Sequence, residues 1–215
     1  MKDAKLIELF RRLTRTAIWE QQAGVALQFD NHHPQGLVRI GDLFYLSSVE
    51  LIERPVTLGQ PSEGYDRTPG RGVGHVFIFD NSGRLKGDIV LGEGAMYHPG
   101  GIDYDGRHIW VSVAEYRPHS RSIIYKVNPA TRKVEEVFRV ADHIGGVVVN
   151  ARQGELTGYS WGSRKFYQWS AEGQLLREKD NPSHFIDYQD GQYAGDGCMI
   201  TGGIAELPDP AGGGS

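Results

Sequence analysis

Four stretches of this chain begin with a histidine and a turn-like pair of residues, and then alternate between apolar and polar side chains. They start at His33, His98, His143 and, more loosely, His184. A repeat of about 40 to 50 residues built from short strands is typical of a β-propeller, in which each repeat forms one blade around a central axis. Equivalent positions of successive blades lie at equal height around that axis. The repeat therefore predicts an all-β fold in which these histidines converge on one mouth.

Two-residue periodicity and turn residues divide the chain into four-stranded units. The predicted strands are 36–40, 43–49, 75–80 and 84–91 in blade one, 101–104, 108–114, 122–127 and 133–139 in blade two, and 146–149, 155–160, 165–169 and 174–178 in blade three. A fourth unit offers only 184–188 and 198–205, and Val25–Phe29 alternates like a strand that would pair with it. Because these blades do not close a ring, we expect an incomplete propeller whose parent has five or six blades.

The ends of the chain differ in composition from these repeats. Residues 1–22 are predicted to form an N-terminal amphipathic helix, because apolar residues such as Leu6 and Phe10 recur there at helical spacing. Residues 23–207 are predicted to form a single propeller domain, and 208–215 a Gly-rich tail. We expect Trp110, Trp161 and Trp169 to lie in the core between blades.

Charge and hydropathy limit the classes of partner. The net charge is −4 and no basic tract occurs, which argues against a nucleic acid. No segment approaches the roughly 18 apolar residues that span a bilayer, so no membrane partner is expected. Charged residues interrupt residues 1–22, unlike a secretory signal, and we predict a cytoplasmic protein. The expected partners are a small-molecule ligand and a second copy of the chain, joined through the unclosed blade edge.

Two of the repeats also carry a glutamate at matched positions. Glu50 follows His33 at the same separation as Glu115 follows His98, and the midpoint of each pair falls at a turn. In a symmetric antiparallel hairpin such residues lie opposite each other on one side of the sheet. The sequence thus predicts two His–Glu pairs at the mouth. The third repeat has Ser160 instead of a glutamate.

Imidazoles and carboxylates that converge from different blades allow two kinds of chemistry. His33, His98, His143 and His184 are candidate ligands for a divalent metal, zinc or calcium, that would act as a Lewis acid. Alternatively, the histidines act without a metal as general acids or bases, each oriented by Glu50 or Glu115. A purely structural role is the third alternative, with the histidines bonded to neighbouring loops.

Arginines are placed to surround the same mouth. Residues 51–74 form a long connection that leaves from this face and is predicted to be a lid or a binding loop. Arg121 and Arg164 follow the corresponding ends of blades two and three. Their guanidinium groups are candidate clamps for a carboxylate or phosphate on a small ligand.

The stretch His98-Pro-Gly-Gly-Ile-Asp-Tyr-Asp-Gly-Arg-His-Ile-Trp-Val resembles the repeats of NHL-type propellers, of virginiamycin B lyase and of SMP-30/gluconolactonase-like enzymes. Residues 30–205 also resemble a bacterial family of such propellers described as a domain of unknown function. In the peptidylglycine lyase relatives histidines from different blades hold a zinc ion, and the resemblance implies that role for His33, His98 and His143. In the lactonases the ligands are largely acidic, which would suit Glu50 and Glu115, but the glutamate typical of the lactonase chain start is not recognisable.

The resemblance implies a metal-assisted hydrolase or lyase that acts on a small polar or anionic molecule at the mouth. In that hypothesis Glu50, Glu115, Arg121 and Arg164 are the catalytic and anion-binding candidates. A non-catalytic propeller module that binds a ligand or a protein is the alternative.

Overall fold

The computed structural model describes residues 2–14, 16–183 and 185–205. One helix, α1 (Lys2–Arg11), precedes the strands, and Trp161–Ser163 form a 3-10 turn. The strands are β1 (His33–Ile40), β2 (Leu43–Glu53), β3 (Thr57–Ser62), β4 (Tyr65–Arg67), β5 (Arg71–Asp80), β6 (Leu85–Leu91), β7 (Met96–Tyr104), β8 (Ile109–Glu115), β9 (Ser122–Val127), β10 (Val134–Val140), β11 (Ile144–Asn150), β12 (Glu155–Ser160), β13 (Lys165–Ser170), β14 (Leu175–Asp180), β15 (Asp187–Gly195) and β16 (Cys198–Ile204). The all-β prediction is confirmed.

The strands form three blade-like antiparallel meanders and a final hairpin. Blade one has the strand order β1-β2-β5-β6. Blades two (β7 to β10) and three (β11 to β14) join in one eight-stranded sheet, because their inner strands β7 and β11 run parallel and pair at Gly101 and Gly146. The fourth unit consists of the hairpin β15-β16, among the residues that the structure describes. This is the predicted incomplete set of blades.

Glycines that follow His33, His98 and His143 let the inner strands approach closely. A Cβ atom at Gly36 of β1 would lie 2.7 Å from the backbone nitrogen of Ile102 and 2.9 Å from Cα of Gly101, both in β7. A side chain at this position would force the first two blades apart. The histidine–glycine repeat is therefore the sequence signal of crowding at the axis.

Apolar side chains fill the spaces between neighbouring blades. Val76 and Ile78 of blade one pack with Ile102, Val111 and Ile123 of blade two. Trp110 and Trp169, 4% and 3% exposed, lie in the core between blades two and three, as the sequence predicts. The prediction for Trp161 is wrong: it is half-buried in the 3-10 turn, because the strand β12 ends at Ser160.

Two aspartates, of which Asp103 is buried and Asp190 half-buried, connect the final hairpin to the inner strands. The carboxylate of Asp190 in β15 accepts hydrogen bonds from the backbone N–H groups of Leu37 in β1 and Ile102 in β7, both at 3.0 Å. The carboxylate of Asp103 accepts from Val149 in β11 and Tyr193 in β15 at 3.0 and 3.1 Å. Burial raises the pKa of each aspartate to about 6. These contacts make β15 the fourth inner strand of the ring.

The N-terminal segment differs from its prediction. Val25–Phe29 does not form a strand; instead the ring of Phe29 packs 5.3 Å from that of Phe77 and 5.8 Å from that of Phe79, on blade one. The segment covers the apolar face of blade one with side chains, and its backbone contact to that blade is the hydrogen bond from the N–H of Gln28 to the carbonyl oxygen of Gly83, at 2.9 Å. The helix α1 is shorter than residues 1–22 because Ile18 and Trp19, 89% and 75% exposed, have no apolar surface to pack on.

The helix α1 packs against the final hairpin, and its Ile7 is buried. Among the described residues, no helix has both the length and the apolar character needed to cross a membrane. His184 and the tail 208–215 lie outside the described residues.

Candidate functional site

Three of the repeat histidines meet at one cavity, here called the mouth cavity. It has a volume of about 240 Å³ and is lined by His33, Gln35, His98, Tyr116, His143, Gly145, Ser160, Trp161, Gly162, Asp187, Tyr188, Gln189 and Ile204. The ring centroid of His98 lies 6.1 Å from that of His33 and 6.3 Å from that of His143. The ring of blades thus brings together one histidine from each of three blades, whereas the position of His184 is not described.

His98 is buried to the same degree as His143, with 6% and 5% of their surfaces exposed. Its Nε2 atom is buried and has no hydrogen-bond partner among the residues that the structure describes. Burial, and after it the neighbouring His143 and His33, lowers the pKa of His98 to about 3. The side chain is therefore a neutral imidazole at neutral pH, with a buried polar atom that no described group satisfies.

The orientation of His143 is fixed by the neighbouring blade. Its Nδ1 atom lies 2.8 Å from the backbone carbonyl oxygen of Glu115 in blade two. A carbonyl oxygen only accepts, so Nδ1 carries the hydrogen and Nε2 keeps its lone pair. Burial also lowers the pKa of His143, to about 4. A neutral imidazole whose Nδ1–H is held by a carbonyl is the form in which histidine binds a metal or accepts a proton.

Aromatic rings form much of the cavity wall. Tyr116 stacks on His98 at a centroid distance of 4.2 Å, and Trp161 meets the edge of His143 at 4.8 Å. These rings exclude water from the imidazoles, which is why burial dominates the pKa values of both histidines.

The predicted His–Glu pairing is wrong by one residue. His33 pairs with Val49 and His98 pairs with Ala114, since both β1 and β7 contain bulges near the histidine. A shift of one residue turns a side chain to the other face of the sheet. Glu50 and Glu115 therefore point away from the mouth cavity, and neither lines it.

The carboxylate of Glu115 is completely enclosed by two guanidinium groups. Its Oε2 accepts from Nε and Nη2 of Arg117, both at 2.6 Å, and its Oε1 accepts from Nε and Nη2 of Arg121 at 2.8 and 2.7 Å. The guanidinium of Arg121, a predicted clamp for a ligand anion, is thus already paired with the carboxylate of Glu115. Arg164 follows the 3-10 turn, is exposed and does not line the cavity.

The connection between β2 and β5 contains a hairpin that lies beside the mouth cavity. The predicted loop 51–74 holds β3 and β4. The guanidinium carbon of Arg117 lies 3.4 Å from the ring centroid of Tyr65, and that of Arg67 lies 5.2 Å from the ring of Trp161. The insertion of blade one therefore contacts residues of blades two and three beside the mouth cavity.

Asp187 is a cavity residue that the sequence reasoning missed. It lies at the start of β15, accepts a hydrogen bond from Ser163 Oγ at 3.2 Å, and has its pKa raised by burial. The signal available in the sequence was the His184-Phe-Ile-Asp stretch, whose aspartate has no counterpart in the other repeats.

A second group of chemical interest lies on the outer flank of blade one. Donor atoms of His32, Glu50 and His75 all lie within 4.8 Å of one another. The Nδ1 atom of His75 lies 3.0 and 3.1 Å from the two carboxylate oxygens of Asp88. We call these four residues the flank cluster. The sequence reasoning missed it because His32, His75 and Asp88 do not belong to the repeat.

A larger cavity of about 530 Å³ separates blade three from the final hairpin. Its charged lining residues are Glu155, Arg177 and Lys179. The carboxylate of Glu155 already accepts a hydrogen bond from Gln168 at 2.7 Å. This space reflects the short fourth unit, and the mouth cavity is the better candidate site because its titratable groups converge.

Residues 2–210 match the sequence profile of the family described as "Family of unknown function (DUF6454)". No protein with a curated description matches the chain. Among solved structures, the chain is similar to the computationally designed Ika4 protein, with 12% identity over 86% of this chain and 93% of that chain and a TM-score of 0.47.

Two natural proteins are similar over part of their length. The luciferin-regenerating enzyme shows 10% identity over 74% of this chain and 48% of its own, with a TM-score of 0.45. The β-propeller domain of the Trilobed protease from Pyrococcus furiosus shows 11% identity over 71% of this chain and 44% of its own, with a TM-score of 0.41. The chain thus spans about half the length of these two proteins, and similarities at this level carry no argument about activity.

Proposed function

The chain belongs to the DUF6454 family, and from its geometry we propose that the mouth cavity is the active site of a metal-assisted hydrolase or lyase for a small polar or anionic molecule. The observation that carries the proposal is the convergence of three histidines from three blades, one with a buried and unpartnered Nε2 atom. The resemblance of the repeats to NHL-type and SMP-30-like propellers supports the same reaction class.

The donor set fits a transition metal better than calcium. His33, His98 and His143 offer nitrogen atoms, which suit zinc, whereas calcium takes oxygen ligands. With metal–nitrogen bonds of about 2 Å, two imidazole rings on one ion have centroids roughly 5 to 6 Å apart. The centroid distances of 6.1 and 6.3 Å lie above that range, and the donor atoms of the three mouth histidines do not all lie within 4.8 Å of one another. The rings would therefore have to move closer together for all three to share an ion. A bound ion would also satisfy the Nε2 atom of His98.

The chain's own residues supply the remaining parts of the site. When bound, the ion contributes Lewis acidity and lowers the pKa of a coordinated water. Asp187 is the candidate general base, because its carboxylate lies in the cavity and burial raises its pKa above the ordinary value of 3.8. Tyr116 and Trp161 exclude bulk water and offer flat surfaces to the ligand. The volume of about 240 Å³ is below the roughly 300–1,000 Å³ of drug-sized sites, which points to a small substrate.

A non-catalytic binding module is the second candidate function. It is favoured by the placement of Glu50 and Glu115 outside the mouth cavity, which leaves Asp187 as the carboxylate that lines it. In this case His98, His143 and the aromatic rings would hold a polar ligand without turnover.

Metal content and turnover together test the proposal. We expect the metal-stripped protein to bind zinc in a saturable manner and to cleave members of a panel of small lactones, esters and amides only when zinc is restored. His98→Gln should lose the zinc bound at the mouth and the activity, whereas His108→Gln, at a histidine outside the cavity, should keep both. Binding of a panel member by the metal-free protein, with no turnover on adding zinc, would instead establish the binding module.

A further inference from the structure

Two neighbouring histidines serve different faces of blade one. His33 lines the mouth cavity, whereas His32 turns to the outer flank, where its ring stacks on that of His75 at a centroid distance of 5.7 Å and an interplanar angle of 27°. His32 adopts a left-handed backbone conformation with φ of 51°. Its backbone N–H donates a hydrogen bond to Oδ1 of Asp30 at 2.8 Å. Such a conformation is uncommon for a residue with a side chain and places the imidazole over the sheet.

The strand register brings the other members of the flank cluster together. In the antiparallel sheet, His75 of β5 pairs with Ser48 of β2, so Glu50 is its diagonal neighbour. On the other side His75 pairs with Val90 of β6, so Asp88 is a second diagonal neighbour. Residues related in this way share one face of a sheet. His75 is therefore flanked by two carboxylates and covered by an imidazole.

The hydrogen bond to Asp88 fixes the form of His75. A carboxylate accepts hydrogen bonds, so Nδ1 of His75 carries a hydrogen and donates to Asp88. The opposite atom, Nε2, is buried, has no hydrogen-bond partner among the described residues, and lies 3.9 Å from Oε2 of Glu50. A carboxylate that holds the far nitrogen of an imidazole is the usual support of a metal-binding histidine.

We propose that His32, His75 and Glu50 bind a zinc-like divalent transition metal on the flank of blade one, with Asp88 as the residue that orients His75. Two imidazole nitrogens and one carboxylate oxygen are a donor set that zinc accepts with a fourth position open. In a tetrahedral site with bonds of about 2 Å, neighbouring donor atoms are roughly 3.4 Å apart. The separation of 3.9 Å between His75 and Glu50 thus needs only a small adjustment.

This ion would act as a clasp between the N-terminal segment and blade one. His32 belongs to the segment that precedes β1, whereas Glu50 and His75 belong to β2 and β5. On the same flank, Phe29 of that segment packs on Phe77 and Phe79. The side chain of Glu50 is 46% exposed, so the cluster is open to an ion from solvent. The site is independent of the mouth cavity and of the function proposed for it.

A zinc titration of the metal-stripped protein tests the site, with cobalt absorption as a report on ligand geometry. We expect Glu50→Gln and His75→Ala to remove one equivalent of bound zinc. Asp88→Asn should keep the ligands but weaken zinc binding by about 10- to 100-fold. Glu53→Gln, the same substitution further along β2, is the matched control and should bind as the wild type does. Because Glu50 is partly exposed, Glu50→Gln keeps the test valid even if His75→Ala unfolds.

The variants also separate this site from the mouth cavity. Zinc should raise the melting temperature of the wild type and of His98→Gln, but Glu50→Gln should lose this flank contribution. Zinc binding that Glu50→Gln and His75→Ala leave unchanged would overturn the clasp, even if His98→Gln abolished binding at the mouth. Conversely, one equivalent that depends on Glu50 and not on His98 would support the clasp and contradict the metal proposed for the mouth.

Discussion

At the residue scale, both candidate sites depend on which imidazole nitrogen carries the hydrogen. The carbonyl of Glu115 and the carboxylate of Asp88 each hold an Nδ1–H group, on His143 and His75 respectively, and leave Nε2 with its lone pair. The histidines at positions 33, 98 and 143 could be predicted to converge because they recur in the repeat. The roles of the Glu115 carbonyl and the Asp88 carboxylate could not be predicted, because neither a backbone carbonyl nor a side chain on another strand leaves a pattern in the sequence.

Asp190 gives a prediction at this scale. Burial raises the pKa of its carboxyl group in the folded protein to about 6, above the ordinary value of 3.8. Between these values the unfolded chain has lost a proton that the folded protein retains, so rising pH favours unfolding. We expect the unfolding free energy of the wild type, relative to Asp190→Asn, to fall by on the order of 1–3 kcal/mol between pH of about 4 and 6.

Urea unfolding at a series of pH values measures this difference. Asp42→Asn, at an exposed turn residue, is the control and should follow the wild type throughout. The pH slope would contradict the expectation if the wild type gained stability over Asp190→Asn with rising pH. In that case the two backbone N–H donors to Asp190 would outweigh its burial.

At the scale of strands, the sequence predicts where each strand lies along the chain better than it predicts which face of the sheet a side chain occupies. Each strand of the three blades overlaps its prediction, and most ends agree within two residues because turn residues mark them, but β1, β2, β5 and β7 extend three to five residues beyond their predicted bounds. The bulges in β1 and β7 leave no such mark, yet they turn Glu50 and Glu115 away from the histidines with which the spacing had paired them. The flank cluster could not be predicted for a different reason: His32, His75 and Asp88 do not belong to the repeat, and regular strand register brings His75, Glu50 and Asp88 together.

Gly36 of β1 gives a prediction about the crowding of the inner strands. In Gly36→Ala the added methyl group would lie 2.7 Å from the backbone nitrogen of Ile102 and 2.8 Å from Oδ1 of Asp190. We expect a loss of about 1–3 kcal/mol in unfolding free energy, as for other overpacked cores. Gly202→Ala is the control, because no atom lies within 4 Å of the added Cβ there. Equal stability of the two variants in chemical denaturation would show that β1 and β7 can separate without cost.

At the scale of the whole molecule, the N-terminal segment contacts both the final hairpin and blade one. Its helix α1 contacts β15 of the final hairpin, and Leu27 and Phe29 pack on the flank of blade one. The sequence predicted a strand at this place because alternation alone does not say whether backbone or side chains make the contact. Self-association through the unclosed edge stays a prediction, since β16 pairs with β15 alone among the described strands.

Phe29 tests the importance of this segment. Its ring is half-buried between Phe77 and Phe79, so Phe29→Ala should lower the unfolding free energy by about 1–3 kcal/mol. Ile18→Ala, which removes apolar surface from a side chain that is 89% exposed, should change it little. If both variants melt at the wild-type temperature, the segment contributes no stability to blade one.

The carbonyl of Glu115 belongs to one blade, and the imidazole that it holds belongs to the next. Because this acceptor is a main-chain atom, the residue type at position 115 does not determine it, and the spacing between the two blades does. A blade inserted by engineering would therefore gain a histidine in the same form only if it reproduced the packing between neighbouring blades as well as the sequence of the repeat.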